Sequence, residues 1–433
     1  MSEAMLKIAP LSTRPVLSRD EAAAYTREHY FARGGWLTEP DGPWHPVPVT
    51  LPPEGRVLQV DTRKGPYRTV QQAVNAAVAS GPRDARVWIA IAPGVYRGVV
   101  YLPAGAPPVT LYGTGETPED VRLELALDAR FTPQQYQAAV NAHGEFQPGD
   151  PAWGDYQRIA ASGAAEIGTR ASAVVMAQCD DIQLVNLSIV NTLLDRVDGA
   201  AHQAVALYAD GDRVQLERLR LISRQDTLWL SSRSAPQGEA SHISRVWVAD
   251  CYLEGDVDYV FGSASAVFER VHFHTVSSRG AGEAFVLAPS TPYNLPVGFL
   301  VQQCRFTTDS GFGRTLYAKA GRAWDHGARE TGYQPGRTAN GQALVRDSVF
   351  DTGFDTTAPW GGRRQPGGPL WRAGAVSETS CGLTAWWSIR TGRGIKAKSG
   401  KTPARTRRRQ GQRRPMIFAS VLRSAGLISS GCS

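Results

Sequence analysis

A short apolar phrase keeps returning along the middle of the chain. Ile182-Gln183-Leu184-Val185-Asn186-Leu187-Ser188-Ile189 is echoed over residues 214–221 and again over 246–253. Related versions occupy 267–273, 299–306 and 344–350. Each unit joins two brief alternating stretches across a two-residue corner, often with a polar residue just ahead of an inward Leu, Cys or Val. At the equivalent positions Leu187, Leu219, Cys251, Val271 and Cys304 the steps are 32, 32, 20 and 33 residues. One unit cannot bury its own inward face, so units must stack and their inward side chains must form ladders. The pattern predicts an all-β chain wound as a parallel β-helix. A two-sheet sandwich is the alternative, but its turn signals come about every 8–12 residues. In the β-helix register Cys251 and Cys304 lie two coils apart, roughly 10 Å at about 4.8 Å per strand. That is too far for a disulfide, so both are expected to be buried ladder residues.

Short helices precede and interrupt these repeats. Ser18 and Glu21 form a capping box for a helix over 18–31, which Gly34-Gly35 stops. A second helix is expected from about residue 70 to 79. Thr69 and Gln72 box its start, and Val70, Ala73, Val74, Ala77 and Val78 form one apolar stripe. Thr132-Pro133 with Gln135 opens a shorter helix in a long insertion that turns at Gly149-Asp150-Pro151. The expected organisation is an N-terminal extension over 1–59, a β-helix over 60–360 and a separate tail over 361–433.

Composition enters where it excludes something. With 433 residues, 42% of them hydrophobic, the chain has ample material for a core, and one elongated repetitive domain can absorb most of that length. No run of about 18 apolar residues exists, so no membrane-spanning helix is expected. The net charge of +7 is unevenly placed. Residues 361–433 hold fifteen lysines and arginines against one acid, Glu378, a net +14, which leaves −7 on residues 1–360. A mildly acidic body gives no footprint for nucleic acid. The tail loses the alternating pattern, carries Arg405, Arg407, Arg408, Arg409, Arg413 and Arg414, and is expected to be mostly unfolded. Its abrupt change after Trp360 suggests a frame-shifted or otherwise replaced C-terminus. Five scattered cysteines show neither a disulfide framework nor zinc spacing. The N-terminus has no basic segment followed by an apolar one, so no secretion signal is read there.

Four segments place polar residues where a stacked sheet should be apolar. They begin at His202-Gln203, Arg224-Gln225-Asp226-Thr227, Gly255-Asp256-Val257-Asp258 and Gly321-Arg322-Ala323-Trp324. The successive steps Gln203 to Asp226, Asp226 to Asp258 and Asp258 to Arg322 are 23, 32 and 64 residues, close to one, one and two coils. All four can therefore meet on one face. Two carboxylates on adjacent coils would lie roughly 5–8 Å apart and split their pKa values. One could stay ionised as a nucleophile while the other keeps a proton as general acid. An arginine would orient the nucleophile, and side-chain amides could donate to a developing oxyanion. The plainer alternative has Asp226 and Asp258 capping turns, with Arg322 paired to one of them. Asp258 sits among Val257, Tyr259, Val260 and Phe261, which is unusual for a solvated turn. Asp256, two residues away, could share its face.

These segments resemble the pectin methylesterase (pectinesterase) family. The matching motifs are Gln203-Ala204-Val205-Ala206-Leu207, Gln225-Asp226-Thr227-Leu228, Asp258-Tyr259-Val260-Phe261-Gly262 and Gly321-Arg322-Ala323-Trp324. Two more lie upstream, at 65–73 and 93–96, so the resemblance spans about 60–360. It implies a right-handed parallel β-helix that removes methyl esters from homogalacturonan with no metal or cofactor. Asp258 would then be the nucleophile, Asp226 the general acid and later base, Gln203 and Gln225 the oxyanion donors, and Arg322 the partner of Asp258. Tyr208, Trp229, Phe261 and Trp324 match aromatics lining the sugar cleft; core or corner packing is their other reading. The implied partner is pectin or methylated oligogalacturonides, and the implied protein is a secreted or periplasmic monomer.

The insertion over about 125–166 and the Asp256-Val257-Asp258 spelling resemble the bacterial lipoprotein-type branch. Some relatives there have lost catalytic aspartates and are associated with thioester hydrolysis; here both aspartates are present. Ala320 and Ala323 depart from the family's usual Leu and Pro around the arginine. A thioesterase-like relative and a non-catalytic polysaccharide-binding β-helix are the rival readings. They differ in preferring acyl-thioesters or in binding pectin unchanged.

Overall fold

Both halves of the repeated phrase are strands, and the corner between them is a single left-handed residue. Asn186, Arg218, Asp250, Arg270, Gln303 and Asp347 have φ between 49° and 57°. They follow Val185, Glu217, Ala249, Glu269, Gln302 and Arg346, which pair in register from coil to coil. One residue in this region swings the chain sharply, so the next strand starts a second sheet. Asn and Asp tolerate that conformation at low cost. The computed structural model describes residues 23–51, 57–80, 85–233, 239–324, 337–339, 341–355, 358–361, 384–389 and 416–420.

Three parallel sheets result, forming a right-handed parallel β-helix. The first sheet runs from Val57–Val60 to Gln342–Phe350, and the second from Gly94–Arg97 to Arg305–Thr308, which joins the end of the same long strand. The third contains Val100–Leu102, Val175–Ala177, Leu207–Ala209, Leu228–Leu230, Val260–Gly262, Phe285–Pro289 and Lys319–Gly321. The short 20-residue step arises where the third-sheet strand Val260–Gly262 leads almost directly into the first-sheet strand Ser265–Glu269.

Inward side chains stack as ladders. Ile189, Leu221, Leu253, Phe273, Phe306 and Phe350 occupy one column, all fully or almost fully buried. Phe306 stacks on Phe273 at 4.7 Å and on Phe350 at 4.0 Å between ring centroids. Phe306→Ala is expected to cost about 3–5 kcal/mol, because two rigid rings cannot collapse into the gap. Chemical denaturation would read this as a lower midpoint.

The corner column also explains its sulfurs. The N–H of Leu219 donates to Cys251 Sγ at 3.3 Å, and the N–H of Val271 to Cys304 Sγ at 3.4 Å. The N–H of Cys304 donates to Ser348 Oγ at 3.1 Å. The inward side chain of one coil thus satisfies a backbone donor of the coil before it. Both cysteines are buried and unpaired, as their two-coil separation requires, and burial pushes each thiol up to about 12.

The helix Val70–Ser80 forms as expected, with the Thr69–Gln72 box made in both directions. It packs its apolar stripe on the first coil. Pro133–Val140 also begins on its expected box, Thr132 with Gln135. A further helix, Trp153–Ala160, follows in the insertion and was not foreseen. Together they cover the outer face of the third sheet around Tyr101 and Met176.

The N-terminal helix differs from expectation. Ala23 is helical, the chain leaves the helix over 24–26, and a short helix Arg27–Tyr30 then starts on Thr26; the Ser18–Glu21 box lies outside the described residues. Gly34-Gly35 does not stop a helix but opens the strand Gly34–Trp36, antiparallel to Glu39–Asp41 and His242–Ile243. Tertiary packing overrides the local signal here. A Cβ on Gly34 would lie 2.0 Å from Arg245 Nε, so the backbone must press against that guanidinium. From there the extension runs along the outer face of the first sheet. Arg27 meets Glu269 at 3.2 Å, Phe31 O accepts from Arg245, and Asp41 pairs with Arg213. Val47 O accepts from Gln215, Val49 N–H donates to Glu217, and Val49 and Leu51 pack against Ala90, Tyr112 and Val185.

In the tail, expected to be mostly unfolded, two short strands are described. Thr384–Ile389 pairs parallel with Gln342–Phe350, and Met416–Ser420 pairs antiparallel with it. Both lie on apolar-aromatic runs that the overall charge count obscured. The rest of the tail is outside the described residues. Among those described, no helix is long and apolar enough to cross a membrane.

Candidate active site

Two third-sheet strands are preceded by a left-handed aspartate. Asp226 has φ 69° and Asp258 φ 52°, each two residues ahead of the paired Leu228 and Val260. Asp226 N–H donates to Val257 O at 3.1 Å and Leu228 N–H to Tyr259 O at 2.9 Å. The two aspartates therefore hold equivalent positions on adjacent coils. Backbone and chemistry ask for the same residue, since Asp is among the few side chains at ease there.

Gln203 and Gln225 also face each other across adjacent coils, joined by a parallel bridge. The side-chain carbonyl of Gln225 accepts from His202 N–H at 3.2 Å, which leaves its NH2 group as the donor end. Arg322 extends the strand Lys319–Gly321 by donating its N–H to Leu287 O at 2.8 Å. Its guanidinium grips Asp258 with both arms, Nε to Oδ1 at 2.8 Å and Nη2 to Oδ2 at 2.5 Å, while lying over the Phe285 ring. Gly321 must be glycine, because a Cβ would sit 2.3 Å from Leu287 O. Trp324 N–H continues the ladder to Pro289 O, so Ala320 and Ala323 leave Arg322 in register.

The electrostatics separate the two carboxyls. Asp226 is buried, and burial raises its pKa well above the usual carboxylate range. The negative charge of Asp258 adds to that rise, and Arg322 opposes it. The guanidinium fork engages both oxygens of Asp258 and fixes their orientation. An acid whose burial favours its protonated form thus stands beside one gripped by a guanidinium.

Four aromatics meet alongside. Trp229 stacks on Phe261 at 4.9 Å and presents edges to Tyr208 at 5.1 Å and Trp324 at 6.1 Å. Trp229 and Trp324 are half-buried. Phe261 and Tyr208 are buried behind them. Tyr208 carries Arg170 over its face, bonds Asp210 through its hydroxyl, and packs against the insertion with Tyr136. It backs Trp229 where a cleft position was expected.

Asp256 does not share the face of Asp258. Its carboxylate is buried against Arg279, at 2.7 and 3.0 Å. The period-two argument fails because Asp258 is itself a corner, where alternation breaks. Sequence reasoning also missed Arg279, the pairing of Arg224 with Asp195 and Glu254, and the 2.6 Å contact of His202 Nδ1 with Asp128. Asp256, in the phrase Gly255-Asp256-Val257, was the trace that Arg279 left in the sequence segments read above.

The fold is a parallel β-helix with two aspartates side by side on adjacent coils, and comparison with known proteins makes it a pectin-ester hydrolase by class. The family model described as Pectinesterase matches residues 155–331. Pectinesterase B of Dickeya dadantii (strain 3937) is 50% identical over 356 residues, covering 81% of this chain and 82% of that one. "Putative acyl-CoA thioester hydrolase YbhC" of Escherichia coli (strain K12) is 40% identical over 352 residues, covering 81% and 78%. The structure of rice weevil pectin methyl esterase superposes with a TM-score of 0.72 at 31% identity, covering 86% of this chain and 97% of that one. The chain belongs to the pectinesterase family.

Proposed function

We propose that the protein hydrolyses methyl esters of homogalacturonan, in pectin or in methylated oligogalacturonides, through an aspartyl acyl-enzyme. The division of labour between buried Asp226 and arginine-held Asp258 carries this reading. Asp258 attacks the ester carbonyl, and the Gln203 and Gln225 amides receive the charge that develops on its oxygen. The carbon–methoxy bond breaks as Asp226 passes its proton to the leaving oxygen, giving methanol. Asp226, now ionised, takes a proton from water, whose oxygen attacks the acyl carbonyl. Release of the uronate restores the Asp258 carboxylate and the protonated Asp226. Trp229 and Trp324 offer the apolar faces on which sugar rings stack. A cell-wall polymer as substrate supports a location outside the cytoplasm.

Methanol release from highly methylated pectin tests the reading, with an acyl-CoA thioester as the competing substrate. Preference for the thioester would favour the second reading, which the 40% identical hydrolase relative motivates. The pH dependence has a defined sign. The rate should fall as pH rises through the elevated pKa of Asp226, because the leaving group then loses its proton donor. A pH–rate profile that keeps climbing across that range would count against Asp226 as the acid.

A further inference from the structure

The two halves of the site come from different parts of the chain. The nucleophile stands on the turn 255–258, whereas the Gln203 donor follows a long loop over 192–202 that leaves the second sheet. The buried guanidinium of Arg279 touches both. Its Nε and Nη2 hold Asp256, two residues from Asp258, at 2.7 and 3.0 Å. Its Nη1 donates to the backbone oxygens of Asp198 and Ala200 at 3.1 and 3.2 Å. Both side chains are almost completely enclosed, Arg279 at 1% and Asp256 at 3% exposure.

The surroundings reinforce this clamp. Asp256 N–H donates to Arg224 O and its carboxylate accepts from Val257 N–H, which fixes the turn. Arg224 reaches the same loop through Asp195, which also accepts from Ser278 beside Arg279. A Cβ on Gly199 would lie 2.7 Å from Gly280 O, so the loop rests directly on the segment that carries Arg279. Beyond Ala200, His202 N–H holds the Gln225 amide.

We infer that Arg279, through Asp256, is a positioning residue that sets the distance between the Asp258 nucleophile and the Gln203–Gln225 oxyanion donors. This rests on the aspartyl esterase reading above. A guanidinium can serve a carboxylate and two carbonyls at once because its donors form a rigid fork, which an ammonium lacks. Loss of the clamp lets the two halves drift without removing any group that touches substrate.

Removing one partner alone strands the other's charge in the interior. The variant of choice is therefore the uncharged pair Asp256→Asn with Arg279→Met, in which residue 256 can still accept from Val257. The expected result is a kcat about 100-fold lower, a KM within about twofold of wild type and an unchanged melting temperature. Arg279→Lys keeps the ion pair and should recover part of the lost kcat. A folded double variant with wild-type kcat overturns the inference. Should the double variant not fold, Arg279→Lys decides: about a tenfold lower kcat supports the clamp, and an unchanged one overturns it. A wild type inactive on both ester and thioester sinks the functional reading and this inference together. An active wild type beside an unimpaired variant sinks the inference alone.

Discussion

Asp258→Asn is expected to lower kcat for methanol release by on the order of 10⁴-fold, with little change in KM. The amide is nearly the same size, and asparagine accepts the left-handed backbone that Asp258 adopts at φ 52°. What is lost is the carboxyl oxygen that the proposed mechanism uses to attack the carbonyl and that the two arms of Arg322 orient. Arg322 would be left without its carboxylate in a half-buried position, so a modest stability loss should accompany the kinetic one. Circular dichroism of the variant separates the two. Methanol release persisting near the wild-type rate in a folded Asp258→Asn protein would remove Asp258 from the nucleophile's role.

The second large effect is on stability. Asp212→Ala is expected to destabilise the fold by about 3–5 kcal/mol. Asp212 accepts from Arg245 N–H at 2.8 Å, from its Nε at 3.0 Å and from its Nη2 at 2.6 Å, and both side chains are 1% exposed. Without that carboxylate, the buried guanidinium keeps the carbonyls of Phe31 and Gly42 and the more distant, half-exposed Asp41 carboxylate at 3.9 Å. Pairing the change with Arg245→Met removes the stranded charge and should recover much of the loss. Urea unfolding followed by tryptophan fluorescence measures both variants. A single variant within about 1 kcal/mol of wild type would show that Arg245 finds other company.

The coil architecture was legible because its cause is periodic. Inward positions such as Leu219 and Cys251 repeat in any stack that shares one cross-section, and a repeat needs no tertiary knowledge to be seen. The same logic brought Asp226 and Asp258 together, since equal offsets from paired strands put residues side by side. Legibility failed where contacts are not periodic. Gly34 read as a helix stop because its contact with Arg245 spans more than two hundred residues. Asp256 read as a neighbour of Asp258 because a left-handed corner reverses the alternation that spacing assumes. Tyr208 read as a cleft residue until the insertion around Tyr136 and Tyr156 covered it. Arg279 had no motif of its own, and besides Asp256 its partners are two backbone oxygens that no sequence displays.

The N-terminal extension has a bearing on how such a molecule comes apart. In a plain stack each rung feels only its immediate neighbours, so loss can begin at either end and travel inward like fraying rope. This extension runs lengthwise, touching Glu269 near one end and Ala90 near the other. It binds rungs that never meet, as a splint binds separate bones. Opening an end coil then requires releasing the splint along several others, which converts gradual fraying into a single concerted event.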